Sequence, residues 1–192
     1  MIKSYTLIAA LVFSPMLIAA AQSHHNHSDK NPELVQQAHL HGSAELTLAL
    51  EGNALEISFE SPAANIVGFE HKATSEKHIK AVEQARVKLE SSDLFLFFGS
   101  DCRLKQAKVD MSSVIEQDSQ YHHDHGDKDR ASHSEINANY SYKCSRGENL
   151  EALSVGLFSL FPAIETLEVM WLTDSQQGAV KLTAKSNIIR IR

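Results

Sequence analysis

The chain has 192 residues, two cysteines and a formal net charge of −6 at pH 7. That length is enough for one domain with its own core. The acidic balance argues against nucleic acid or an anionic membrane surface as partner, and suits the retention of cations.

Residues 1–21 have the pattern of a secretory signal peptide. Lys3 supplies the basic start, Tyr5 to Ile18 is almost wholly apolar, and Ala19 and Ala21 form a small-x-small cleavage site before Gln22. The apolar run is shorter than the roughly 20 residues a membrane-spanning helix needs, so the mature chain is expected to be exported with no membrane attachment. Without Lys3, its charge becomes −7. Residues 22–37 are polar, contain Pro32 and three histidines (His24, His25, His27), and read as a flexible lead-in.

From residue 38 onward a single domain is expected, ending at residue 192. Leu40, Gly42, Ala44, Leu46, Leu48 and Leu50 alternate with His39, His41, Ser43, Glu45 and Thr47, which predicts a half-buried strand. Gly52-Asn53 turns into a second alternating run, Leu55, Ile57 and Phe59, so the two form a hairpin. Pro62 to His71 reads as a short helical turn or connector. Ser75 then caps a helix to Glu90 whose apolar positions are Ile79, Val82, Ala85 and Leu89, with Arg86 at the margin.

Leu94–Phe98 and Cys102–Met111 read as strands, and residues 112–134 as a His/Asp-rich insert. After it, Ile136, Ala138, Tyr140, Tyr142 and Cys144 alternate with polar residues as an antiparallel partner for the Cys102 strand. Two cysteines in an oxidising compartment predict a Cys102–Cys144 disulfide, worth roughly 4 kcal/mol by the chain-entropy model. A second helix is expected over Asn149–Leu160, stopped by Pro162. Strands follow around Leu167, Val169 and Trp171, around Val180 and Leu182, and at Ile189 and Ile191. The fold class is therefore α+β, a mainly antiparallel sheet with two helices and a His/Asp-rich insert loop.

Nine of the 11 histidines fall into three groups in polar, acid-rich stretches. Neutral imidazole ligates zinc, copper and nickel. His39 and His41, at i and i+2 of the expected strand, would share its solvent face with Cα atoms about 6.6 Å apart and converge on one ion. Glu45 lies too far along the same face to join them. The insert offers His122, His123, Asp124, His125, Asp127, Asp129 and His133, with Gly126 letting several subsets wrap an ion. Ordering such a loop costs roughly 1–2 kcal/mol per residue of backbone, so modest affinity is expected. His24, His25 and His27 are accessory ligands at most. His71 and His78 stand apart from these groups and are expected to be structural or merely exposed.

Imidazole and carboxylate donors favour borderline ions. Zn²⁺ is expected, with Cu²⁺ or Ni²⁺ also able to bind in vitro, and no Met-rich run points to cuprous copper. Protonated imidazole cannot ligate, so binding should weaken below about pH 6.5. HExxH, GxSxG and phosphate-cradling glycine patterns are absent, and nothing orients a serine–histidine–carboxylate relay. A hydrolytic zinc centre would have to borrow a ligand from the insert, a poor basis for a preorganised catalyst. The chain is read as a non-enzyme.

The ordered combination of AHLHGSAELTLALEGNALEISFESPAANIVGFEH (38–71), Cys102, HHDH (122–125), HSEINANYSYKC (133–144) and LFSLFPAIETLEVMWLT (157–173) resembles the ZrgA-type zinc-regulated periplasmic proteins of Gram-negative bacteria. The resemblance covers about residues 38–185. It implies a role in zinc acquisition or homeostasis beside a zinc ABC importer, with that importer's binding protein as a partner. It also implies His39 and His41 as the family's HxH pair, and His122, His123 and His125 as its metal loop, leading into His133. Many members carry longer His–Asp runs. Here the run is four residues followed by DKD, which lowers the expected number of ions.

Three readings follow. The first is a periplasmic zinc-binding accessory protein that captures Zn²⁺ and buffers it for, or passes it to, an uptake system. The second is a structural or protein-interaction domain with incidental metal binding. The third is a zinc-dependent hydrolase. An exposed HxH pair would also permit a metal-dependent homodimer.

Overall fold

Strands dominate, and the alternation of the sequence explains most of them. The computed structural model describes residues 40–115 and 134–192. β1 (Ser43–Glu51) and β2 (Ala54–Pro62) form the expected hairpin through Gly52-Asn53, each with every second side chain buried. A short α1 (Ala63–Val67) ends at Gly68, whose φ of 86° gives a left-handed cap that glycine adopts readily. α2 (Glu76–Leu89) is the long helix. Ser75 caps it by accepting the His78 N–H at 3.2 Å, and Val82, Ala85 and Leu89 are buried.

β3 (Phe95–Phe98), β4 (Cys102–Asp110) and β5 (Glu135–Cys144) follow. Then come β6 (Ala152–Val155), α3 (Leu157–Leu160), β7 (Thr166–Thr173), β8 (Gln177–Leu182) and β9 (Ile188–Arg190). Six strands form one sheet in the order β4-β5-β2-β1-β7-β8, antiparallel except for the parallel pair β1 and β7. A smaller antiparallel sheet runs β3-β6-β9.

The two sheets share one core. Leu46, Leu48, Leu55, Ile57, Phe59, Tyr140, Leu167 and Val169 from the large sheet cluster with Phe95, Leu153, Val155 and Ile189 from the small one. Phe95 meets Tyr140 edge to face at 5.4 Å, and Phe97 meets Tyr142 at 4.9 Å. The expected cross-strand bridge is present: Cys102 and Cys144 are register partners of β4 and β5 and are bonded. Among the described residues, no helix is long and apolar enough to cross a membrane.

Three expectations give way. The helix expected over Asn149–Leu160 is instead a 3₁₀ turn at Gly147–Asn149, the strand β6 and the single turn α3. β6 is the middle strand of the small sheet, with Leu153 opposite both Phe97 and Ile189. A strand covered on both faces loses its period-2 signature, and a short apolar run then reads equally as helix. The described residues accordingly carry three helices rather than two, only one of them long. Finally, β1 starts at Ser43. Leu40, expected on its buried face, is 75% exposed, and His41 and Gly42 form a turn ahead of the strand.

Candidate metal-binding site

The turn that carries His41 is built from buried polar groups. Gly42 has φ +85°, a conformation L side chains rarely adopt, and a Cβ there would press to 3.2 Å from the Glu165 side chain. Its N–H donates to Asn65 Oδ1 at 2.8 Å, and its carbonyl accepts from Glu165 and Thr166, the latter being the first residue of β7. Asn65, on α1 and 4% exposed, also donates through Nδ2 to Ser43 O at 2.9 Å and Ser61 Oγ at 3.2 Å. One amide therefore ties the turn, β1 and the end of β2 together.

Ser61, Asn65 and Ser134 are the buried polar residues of the described structure, and all three belong to this corner. Ser134 accepts at its carbonyl from Ala63 N–H at 2.7 Å, and its hydroxyl donates to Glu70 O at 2.8 Å. Buried polar groups that are all paired define one geometry at high stakes, since a broken pair leaves an orphan.

The connector after α1 is the hinge of the arrangement. Glu70 is held at its carbonyl by Ser134, the last residue of the expected insert and the one at which the described chain resumes. Three residues on, Ala73 N–H donates to Val114 O at 2.8 Å, and Lys72 Nζ donates to Ser112 O at 2.7 Å. Of the residues expected as insert, Ser112–Ile115 and Ser134 are described, and Val114 is fully buried. Asp110 accepts the Ser112 N–H at 2.9 Å, a bond that holds its carboxyl below the usual carboxylate range. Both stems of the insert are thus docked on residues 70–73.

His41 reaches the same connector. Its Nε2 lies 3.0 Å from Glu70 Oε1, with the His41 side chain 67% and the Glu70 side chain 27% exposed. An ionised carboxylate only accepts, so Nε2 carries the hydrogen, and in the neutral ring Nδ1 keeps its lone pair for a ligand. Such a carboxylate fixes the tautomer and orientation of a ligating imidazole.

Of the sequence-predicted metal residues, His41 alone falls within the described chain. It does not occupy the strand position expected of it: the positive φ of Gly42 and the Asn65 clamp make it part of a turn ahead of β1. His39, His122, His123, His125 and His133, and the accessory His24, His25, His27, Asp124 and Asp127, lie outside the described residues. Sequence reading missed Glu70. Nothing in the periodicity marks it; only its place in the GFEH segment beside a histidine hints at a polar role. Among the described residues, no three His, Cys, Asp or Glu side chains gather closely enough to hold a metal ion. What these residues supply is a histidine–carboxylate pair beside the stems of a histidine-rich segment.

Comparison with known proteins adds the family. A family model described as "ZrgA family zinc uptake protein" matches residues 38–191. Among curated proteins, none matches.

Proposed function

Since this chain belongs to the ZrgA family of zinc uptake proteins, we propose that it captures Zn²⁺ with His39, His41 and the insert histidines His122, His123, His125 and His133. Members of the family are periplasmic and act as accessory binding proteins, not as enzymes. Zinc is the cargo, and the captured ion is buffered for, or handed to, an uptake system, with the binding protein of a zinc ABC importer as recipient.

The observation that carries this reading is the shared anchorage of two residues. Glu70 holds His41 through its carboxylate and Ser134 through its carbonyl, and His133 directly precedes Ser134 in the sequence.

Zinc affinity, measured by competition with a chromophoric chelator, tests the ligand set. Replacing His39 and His41 together by alanine should weaken binding, and replacing all six histidines should abolish the tightest site. Glu70→Ala, which leaves every imidazole in place, should cost about 10- to 100-fold in affinity. Unchanged affinity in the six-histidine variant would overturn the reading. Delivery has its own test: zinc should pass from the loaded protein to the importer's binding protein faster than from a small-molecule buffer set to the same free zinc. Equal rates would leave buffering alone.

A further inference from the structure

His71 and His78 were expected to stand apart from metal chemistry, and they arise from different elements, the connector after α1 and the first turn of α2. Their rings nonetheless meet. The centroids are 4.9 Å apart with the planes tilted by 51°, and both rings stack on Phe69, at 4.8 Å for His71 and 4.3 Å for His78. With metal–nitrogen bonds of about 2.0–2.1 Å, two imidazoles on one tetrahedral ion place their centroids roughly 5 Å apart.

The hydrogen bonds say where the lone pairs are. His71 Nδ1 lies 2.9 Å from the Lys72 carbonyl, which only accepts. The hydrogen of His71 is therefore on Nδ1, and Nε2 keeps its lone pair. His78 Nδ1 is buried and, among the described residues, has no hydrogen-bond partner. A hydrogen placed there would be an orphaned buried donor, which folded proteins avoid. The neutral ring thus carries its hydrogen on Nε2, and a second lone pair is left at Nδ1, inside the ring cluster.

We propose that His71 and His78 form a separate two-imidazole station for a borderline divalent cation, Zn²⁺ foremost, with water completing the coordination. His78 is the fixed arm, set by the Ser75 cap at the start of α2. His71 is exposed and is the arm that turns to admit the ion. The neighbouring charges are mixed in sign: Glu70 and Glu76 stand near the pair in sequence, as do Lys72, Lys77 and Lys80, and the Lys72 ammonium is drawn away to Ser112 O. With only two protein ligands the ion is held weakly and exchanges readily. Phe69, Glu70 and His71 are consecutive, so this station lies one residue along the connector from the contact that holds His41.

The test uses the full chain with His24, His25, His27, His39, His41, His122, His123, His125 and His133 replaced by alanine, which leaves His71 and His78 as its only histidines. Long-range ¹H–¹⁵N spectra of the metal-free variant should show His71 as the Nδ1–H and His78 as the Nε2–H tautomer. Titration with zinc alone should then bind one ion per chain and shift both rings. Adding the exposed-site change His71→Ala should remove that binding while leaving the circular dichroism spectrum unchanged. Absence of zinc binding in the nine-alanine variant, binding that survives both His71→Ala and His78→Ala, or the opposite tautomers would each overturn the proposal. The converse variant, with only His71 and His78 replaced, separates the two sites. It should lose the weaker ion and keep the tighter one proposed above.

Discussion

At the residue scale, the chemistry of this corner depends on side chains that are not themselves metal ligands. Asn65 satisfies Gly42 N–H, Ser43 O and Ser61 Oγ from a buried position. Asn65→Ala takes a partner from two backbone groups, while Ser61 Oγ keeps its bond to Pro62 O, and should lower the unfolding free energy by about 1–3 kcal/mol, read from the urea midpoint. An unchanged midpoint would mean that the turn finds other partners. Glu70 works differently: its carboxylate acts by orienting His41, and a pair with so exposed a ring contributes little to stability. Neither residue stands out in the sequence. Asn65 lies in the semi-apolar stretch PAANIV, and its importance comes from atoms 22 and 23 residues away.

At the element scale, legibility followed burial. β1, β2 and β5 each bury one face, and their alternation was readable because a period of two survives only when the other face meets solvent. β6 buries the consecutive Ala152 and Leu153, and Val155 beyond them, so neither face is left to solvent, and its residues run on from Leu150 into α3, so the same apolar string read as one helix. The start of β1 failed for another reason: alternation continued past Ser43 to Leu40, but Gly42 takes a left-handed conformation that no strand contains. The β4–β5 pair was read correctly down to its facing cysteines. β4 is an edge strand held by β5 alone, so the bridge matters most there. Replacing Cys102 and Cys144 together by alanine should cost about 2–4 kcal/mol in a denaturant titration, without changing the far-ultraviolet spectrum, because β5 still pairs with β2. A loss below 1 kcal/mol would show that the ladder alone holds the edge.

On the scale of the whole molecule, the two sheets close over Tyr140 and Tyr142, whose hydroxyls are buried and, among the described residues, find no hydrogen-bond partner. Burial pushes the Tyr142 phenol up to about 12 and raises Tyr140 further. In the unfolded chain a tyrosine loses its proton near pH 10, while the folded chain still holds it. The unfolded state therefore binds fewer protons between about pH 10 and 12, and stability falls as pH rises through that window. The urea midpoint should drop over this range. Tyr142→Phe should make the drop shallower while leaving stability at neutral pH equal or slightly higher, since it removes a buried hydroxyl without a partner. By itself the sequence determined the strand-rich α+β class, most strand faces, the cysteine pairing and the concentration of imidazole around residues 39–41 and 122–133. These are local properties, carried by period, composition and spacing. Only the tertiary structure decided that Glu70 meets His41, that residues 70–73 clamp both stems of the insert, and that His71 and His78 share one ring cluster. Each of those contacts joins segments from different elements, and which atoms meet depends on how the sheets and loops close, a geometry that no local pattern encodes.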